Sequence, residues 1–319
     1  MPRGVRDARR FPAMTAHAST LHRLHIRPAR NTGCRVELRR KLRHPLENPT
    51  YVACLVVSMT ILAVAIWLVV FGAGWLAFHP MIAKHTDKIR AALIALMAAP
   101  PALVLSRHAH LRIVESNAIR ITDRQFPELY AILVDQCRRI GREDIPELYI
   151  STGLDEVTTA HSIFTGRCCI VLSSELATRE YQELLDAFAY LIGWSLGRLE
   201  LGHCNWTRQL LISYVLFTSW GKAPLRKACT RSCDRYAAYL EPEGVRGLLI
   251  QACGRELLSS LDFKAYVEHA LHVPVMRARI ANMKKQQPPL VLRVSELYQA
   301  KLFDLDRDLK RLSPPPDDD

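Results

Sequence analysis

The chain has no C-x2-C pair, shows no visible secretory signal with a cleavage site and, from Tyr51 to Phe78, has no charged residue at all. Each absence excludes something. The nine cysteines are odd in number, and Cys168 and Cys169 are adjacent, so they do not compose a disulfide framework. Reduced thiols in a cytoplasmic domain are the simpler reading. Without C-x2-C pairs the usual four-ligand zinc pattern is missing. Cys229 and Cys233, one helical turn apart, and His203-Cys204 form the one alternative constellation, against which stands the ordinary role of buried thiols as small apolar groups. The first apolar run begins some fifty residues into the chain, too late for a secretory signal. Acidic residues are scarce at the start: residues 1–50 hold three, against twelve Lys and Arg. The whole 319-residue chain carries a formal charge of +12 and a pI of about 9.4. Because the basic cluster directly precedes the apolar run, it points to a membrane surface rather than to nucleic acid.

What is present reads in four parts. Residues 1–46 are a basic, Arg-rich tail, poorly periodic and expected to be disordered on the cytoplasmic side. Residues 47–106 are expected to form a transmembrane hairpin. Its first helix lies at about 51–78, since about 20 apolar residues cross a bilayer, and Trp67 and Trp75 suit interfacial depths. Its second lies at about 91–105, with a kink at Pro100-Pro101. The tail outweighs loop 79–90 in Lys and Arg, which places the tail and the domain after Ser106 in the cytoplasm. Residues 107–312 form the main domain, and 313–319 a disordered end. Within the domain, residues 107–180 predict a small α/β segment. An amphipathic helix opens at Phe126-Pro127, with Leu129, Ile132, Leu133 and Cys137 on one face, and strands fall at Pro146–Ile150 and Cys168–Leu172. A helix from about Glu180 to Leu201 is apolar over a broad band and should be central and buried. Leu210–Trp220 is too short to span a bilayer, and a further helix is expected over Arg231–Leu240.

Two motif frames overlap inside the central helix. Gly193-Trp194-Ser195-Leu196-Gly197 spells G-x-S-x-G, which in serine hydrolases needs a strand, a sharp turn at Ser and then a helix. Here the helical period runs unbroken from Glu183 to Phe188, a bulky Arg198 follows Gly197, and no Gly-rich oxyanion segment lies upstream. Asp262, His269 and His272 are available as partners, but nothing singles them out. Trp194 to Arg198 also fills the frame of H-E-x-x-H, with each chemical residue replaced.

The second frame has support along the chain. "QFPELYAILVDQCRRIG", "IPELYI", "IVLSSEL", "ELLDAFAYLIG", the "LGH" at Leu201–His203, "CDRYAAYL" at Cys233–Leu240 and "PPLVLRVSEL" at Pro288–Leu297 follow a basic lead and an apolar hairpin. In this order the sequence resembles the membrane zinc metallopeptidases of family 48, the HtpX-like and CAAX-prenyl-protease-like group, from about His44 to Leu297. The resemblance implies an α+β, mainly helical, zincin-like domain on a membrane hairpin. It also implies a zinc held by two His and a Glu, with a second Glu as base. In this chain the first His position is Trp194, the base position is Ser195 and the second His position is Arg198. The third-ligand position is Thr230, or Asp234 in an alternative register.

Tryptophan offers zinc no lone pair, arginine is permanently cationic, and serine without an adjacent base has no useful basicity. No catalytic residue is intact, and zinc, expected for the family, is predicted lost. Trp194 and Arg198, four apart on a helix, can instead stack. The expectation is a catalytically inactive pseudopeptidase at the cytoplasmic face of the cell membrane, a multi-pass protein. Its partners would be membrane lipid and a membrane protein or peptide, not nucleic acid. The alternatives are an active zinc metalloendopeptidase with unusual ligands, a serine hydrolase using Ser195 and a purely structural membrane protein.

Overall fold

A computed structural model describes residues 32–72, 85–152, 158–162, 167–174, 185–254, 257, 260–283 and 285–303. Two of its helices are long and apolar enough to cross a membrane. Helix α2 (Glu47–Val70) follows a short helix α1 (Thr32–Leu42), and helix α3 is Thr86–Asn117. At 1.5 Å per residue, the apolar parts of α2 and α3 measure about 36 and 31 Å, the thickness of a hydrocarbon core. Most of their side chains lie outside the packed interior, Val52, Val56, Val64, Trp67, Ile94 and Leu105 among them. A soluble core helix would bury them. Trp67 is half exposed near the end of α2, and Trp75 lies outside the described residues.

Two boundaries differ from the sequence reading. Residues 32–42, expected to be disordered, form α1; Leu38 and Leu42 on one side pack on the main core, and ion pairs described below fasten the helix further. Helix α3 passes through Pro100 and Pro101 and continues to Asn117, well beyond the expected end near Leu105. It thereby delivers the chain directly to the first strand.

Strand β1 (Ile119–Ile121), helix α4 (Pro127–Arg139) and strands β2 (Glu147–Ser151), β3 (Thr158–Ser162) and β4 (Cys168–Ser173) form the α/β segment. The sheet order is β1-β2-β4-β3. β2 and β4 are parallel, with Leu148 opposite Ile170, while the two outer pairings are antiparallel. Side chains alternate with period two. Leu148, Ile150, Ile170, Leu172 and Ala160 face the main core, and Tyr149, Cys169 and Val171 form a small cluster on the other face. On α4, Leu129, Leu133 and Cys137 turn inward as expected, joined by a buried Gln136 that donates to the carbonyl of Ala189 at 2.8 Å.

Helix α5 (Leu185–Glu200) is the centre of this core. Ala187 through Gly197 are all buried, and the helix contacts α4, β3, β4, the long helix Ser219–Leu240 and the turn Glu243–Leu249. Two short helices, α6 (Trp206–Leu211) and α7 (Ser213–Leu216), take the place of the single apolar stretch expected at 210–220. Helix α8 (Ser219–Leu240) then runs for 22 residues, absorbing the helix expected at 231–240. A 3-10 turn (Glu243–Leu249) and α9 (Ile250–Cys253), α10 (Phe263–His272), α11 (Val275–Ala281) and α12 (Leu290–Gln299) complete the described chain. The architecture is mainly helical with a small mixed sheet. Residues 313–319 lie outside the described residues.

Candidate functional site

The two glycines of G-x-S-x-G have a packing explanation. A Cβ on Gly197 would stand 2.9 Å from the Cβ of Tyr236, and one on Gly193 would stand 3.4 Å from the Cα of Ala237. Four residues apart, they form a flat strip on which α8 lies against α5. Ser195 points the other way. It is fully buried in the middle of the helix, and its Oγ meets Thr158 Oγ1 of β3 at 2.6 Å. There is no strand-to-helix turn at Ser195, so the elbow geometry expected for a serine nucleophile is absent here. Two of the three candidate partners have local roles: Asp262 caps α10 through the amide of Ala265, and His272 Nδ1 bonds the carbonyl of Glu268.

The frame of the zinc helix contains a different set of contacts. The Trp194 indole N–H donates to Asp234 Oδ1 at 3.0 Å. Arg293 of α12 clamps the same carboxylate from the far side, Nε to Oδ2 at 2.7 Å and Nη2 to Oδ1 at 2.6 Å. All three residues are buried, with Trp194 8%, Asp234 1% and Arg293 4% exposed. The guanidinium of Arg198 lies 5.2 Å from the centre of the Trp194 ring, the stack expected from their spacing. Thr230, one turn before Asp234 on α8, is buried as well. Asp234 and Arg293 tie α5, α8 and α12 together, and burial of the carboxylate is offset by a bidentate cation. A metal ion finds no donor set among these groups. Trp194 presents N–H, Arg198 a positive charge, Thr230 a hydroxyl, and Asp234 is already engaged by Arg293. Zinc as the resemblance implies it does not fit these residues.

A second cluster lies at the C-terminal end of α5. Gly202, at φ +74°, reverses the chain there, with His203 N–H donating to the Arg198 carbonyl and Gly202 N–H to that of Leu199. Only glycine adopts this conformation cheaply, and the turn aims His203 back toward α2. His203 Nε2 meets Glu47 Oε1 at 3.0 Å, and its Nδ1 lies 3.4 Å from Cys233 Sγ. Burial holds the His203 imidazole below its ordinary pKa, opposed by Glu47. Ser232 donates to Glu47 Oε2 at 2.5 Å, Arg208 reaches Oε1 at 3.1 Å, and Arg43 stands at 3.6 Å.

Glu47, His203 and Cys229 bring potential ligand atoms within 4.8 Å of one another. The constellation of His203, Cys229 and Cys233 therefore assembles in space, joined by Glu47, whereas Cys204 turns away to the carbonyl of Ala160. Burial pushes the Cys229 thiol up to about 12. With two guanidiniums on the same carboxylate, the cluster reads chemically as a buried ion network. Sequence reasoning missed Glu47 because it stands just ahead of an apolar run.

Glu200, also buried, receives three arginines: Arg35 at 2.6 Å and Arg39 at 2.8 Å from α1, and Arg142 at 2.7 Å from the loop after α4. Burial opposes its charge, but these guanidiniums prevail and hold the carboxyl down at about 2. A carboxylate in the last turn of a helix faces the negative end of the helix dipole, which makes the three cations more necessary.

Comparison of the chain with protein-family models, with curated proteins and with solved structures finds no match.

Proposed function

We propose that this protein is a membrane-anchored, catalytically inactive relative of the family 48 zinc metallopeptidases. In this reading its helical domain binds or regulates a membrane-protein or peptide partner at the cytoplasmic face. The observation that carries the reading is the lock at the former catalytic frame. Trp194 donates to Asp234, Arg293 neutralises Asp234, and Arg198 stacks on Trp194. A peptidase of the proposed ancestry needs an open metal position and a base beside it. Here the equivalent space is taken by an indole, and Ser195 is turned to Thr158.

The two membrane-length helices support anchoring, and the basic N-terminal tail supports a cytoplasmic domain. The test is chemical. The purified full chain is expected to carry no stoichiometric zinc and to cleave no casein. Trp194→His, Ser195→Glu, Arg198→His and Thr230→Glu together are the smallest set that rebuilds three ligands and a base. Chelator-sensitive casein cleavage by the wild type, abolished in Ser195→Ala, would overturn the reading. About one zinc per chain that disappears in Cys229→Ser would favour the cysteine cluster instead.

A further inference from the structure

A cavity of about 550 Å³ opens where α8 and α11 meet the start of the first membrane-length helix. Its apolar wall is Leu46, Ala223, Pro224, Ala228, Ile280 and Met283, with Thr50 on α2. Its charged lining residues are Lys227, Arg231 and Arg279, and no acidic residue lines it. Arg231 is partly neutralised by Glu296 at 3.1 Å, and Lys227 donates to the carbonyls of Asn282 and Met283, which shapes the wall. Arg279 lies exposed at the rim. An apolar cavity of this size with a cationic rim suits an amphiphile with a negative head and a hydrocarbon tail.

A second observation says where that amphiphile comes from. Helix α11 exposes Val275, Met276 and Ile280 beside Arg277 and Arg279, and Met283 follows them. This is the pattern of a short segment resting in the headgroup region of an anionic bilayer. Leu46, at the foot of α2, is half exposed beside the same cavity. On the proposed orientation, α2 enters the cytoplasmic leaflet at this level, the leaflet rich in anionic lipid. We infer that the cavity bounded by α2, α8 and α11 binds one anionic phospholipid of the surrounding leaflet. Its phosphate meets Arg279 and Lys227, and one acyl chain lies along Ala223, Ala228 and Ile280. The inference rests on the membrane anchoring proposed above and not on the loss of catalysis.

The test uses the full chain in non-ionic detergent. Native mass spectrometry with added dihexanoyl-phosphatidylglycerol is expected to show one lipid bound per chain. Arg279→Glu removes one interfacial cation and adds an anion, so affinity should fall by about tenfold or more. Arg279 is exposed, so the variant keeps the fold, and its unchanged melting temperature without lipid verifies that. Thr50→Phe, which fills the cavity, should lower binding without altering charge. Equal binding of dihexanoyl-phosphatidylcholine would overturn the inference, as would equal affinity in Arg279→Glu. Competition by millimolar inorganic phosphate alone would identify a free-anion site and also overturn it. Alkaline extraction of cell membranes separates the two readings: release of the chain into the soluble fraction defeats the anchoring, whereas retention without lipid binding defeats only the cavity.

Discussion

Replacing Glu200 with glutamine keeps the side chain's shape and removes its charge, leaving Arg35, Arg39 and Arg142 around a neutral amide. The carboxyl is held at about 2 from an ordinary value of 4.5, a depression that corresponds to about 3 kcal/mol of stability. Breaking a buried ion cluster by removing one partner costs about 3–5 kcal/mol in comparable settings, so the two routes agree. A depressed carboxyl stabilises the fold fully above its unfolded pKa, and that stability disappears as pH falls through the folded value. The contribution should therefore be complete above pH 4.5 and drain away toward pH 2. Urea unfolding of the full chain in non-ionic detergent measures it, since guanidinium would compete with the arginines. The wild type should exceed Glu200→Gln by about 3 kcal/mol near neutral pH, and the gap should close on acidification. Other carboxylates titrate over the same range, so the difference between the two proteins is the quantity to follow. A gap under about 0.5 kcal/mol near neutrality, the level of an ordinary surface change, would refute the reasoning. So would a gap that persists at the acid end.

Other outcomes follow from the same contacts. Asp234→Asn strands the Arg293 charge in the core and should cost about 3–5 kcal/mol, against about 1–3 for Trp194→Phe, which keeps an aromatic ring but loses the N–H donor and some buried volume; denaturant titration ranks them. Gly197→Ala sets a methyl against the Cβ of Tyr236, whose own position is fixed by α8, and should lower stability by about 1–3 kcal/mol, readable as a drop in melting temperature. Ser195, buried in mid-helix, should resist a fluorophosphonate probe in the folded chain and react no faster than the Ser195→Ala background. Cys253, part-exposed in the helical domain, should be labelled by an impermeant maleimide only after cells are permeabilised; labelling from outside would reverse the proposed topology.

The sequence was legible where one physical signal dominated. The broad apolar band of α5, the inward face of α4 and the uncharged run of α2 all follow from periodicity and composition. The Trp194–Arg198 stack follows from a separation of four on a helix. The strands Ile119–Ile121 and Thr158–Ser162 were not legible, because one is three residues long and the other is largely polar. Helix α1 was hidden for a related reason: its apolar side is only Leu38 and Leu42, and the rest of its fastening comes from arginines reaching an acid more than 160 positions away, of which local pattern carries no trace. The partner of Asp234 was equally out of reach, since Arg293 lies 59 positions downstream. The glycines of G-x-S-x-G showed how a short motif can match for another cause, here the close approach of two helices.

The stretch between residues 35 and 47 is fastened to the domain at every turn. Arg35 and Arg39 hold Glu200, Arg43 donates to the Leu201 carbonyl, the His44 amide reaches Ser232, and Glu47 meets His203. The next residues enter the membrane-length helix. Among the described residues, no slack tether separates that helix from the domain; the join is a bracket bolted to the helix that carries Trp194. On the proposed anchoring, the domain would ride at a fixed height and a fixed tilt over the lipid surface, able to drift sideways but not to swing. On the same proposal, a partner would have to meet the domain at that height, which would favour neighbours in the same membrane over proteins free in solution.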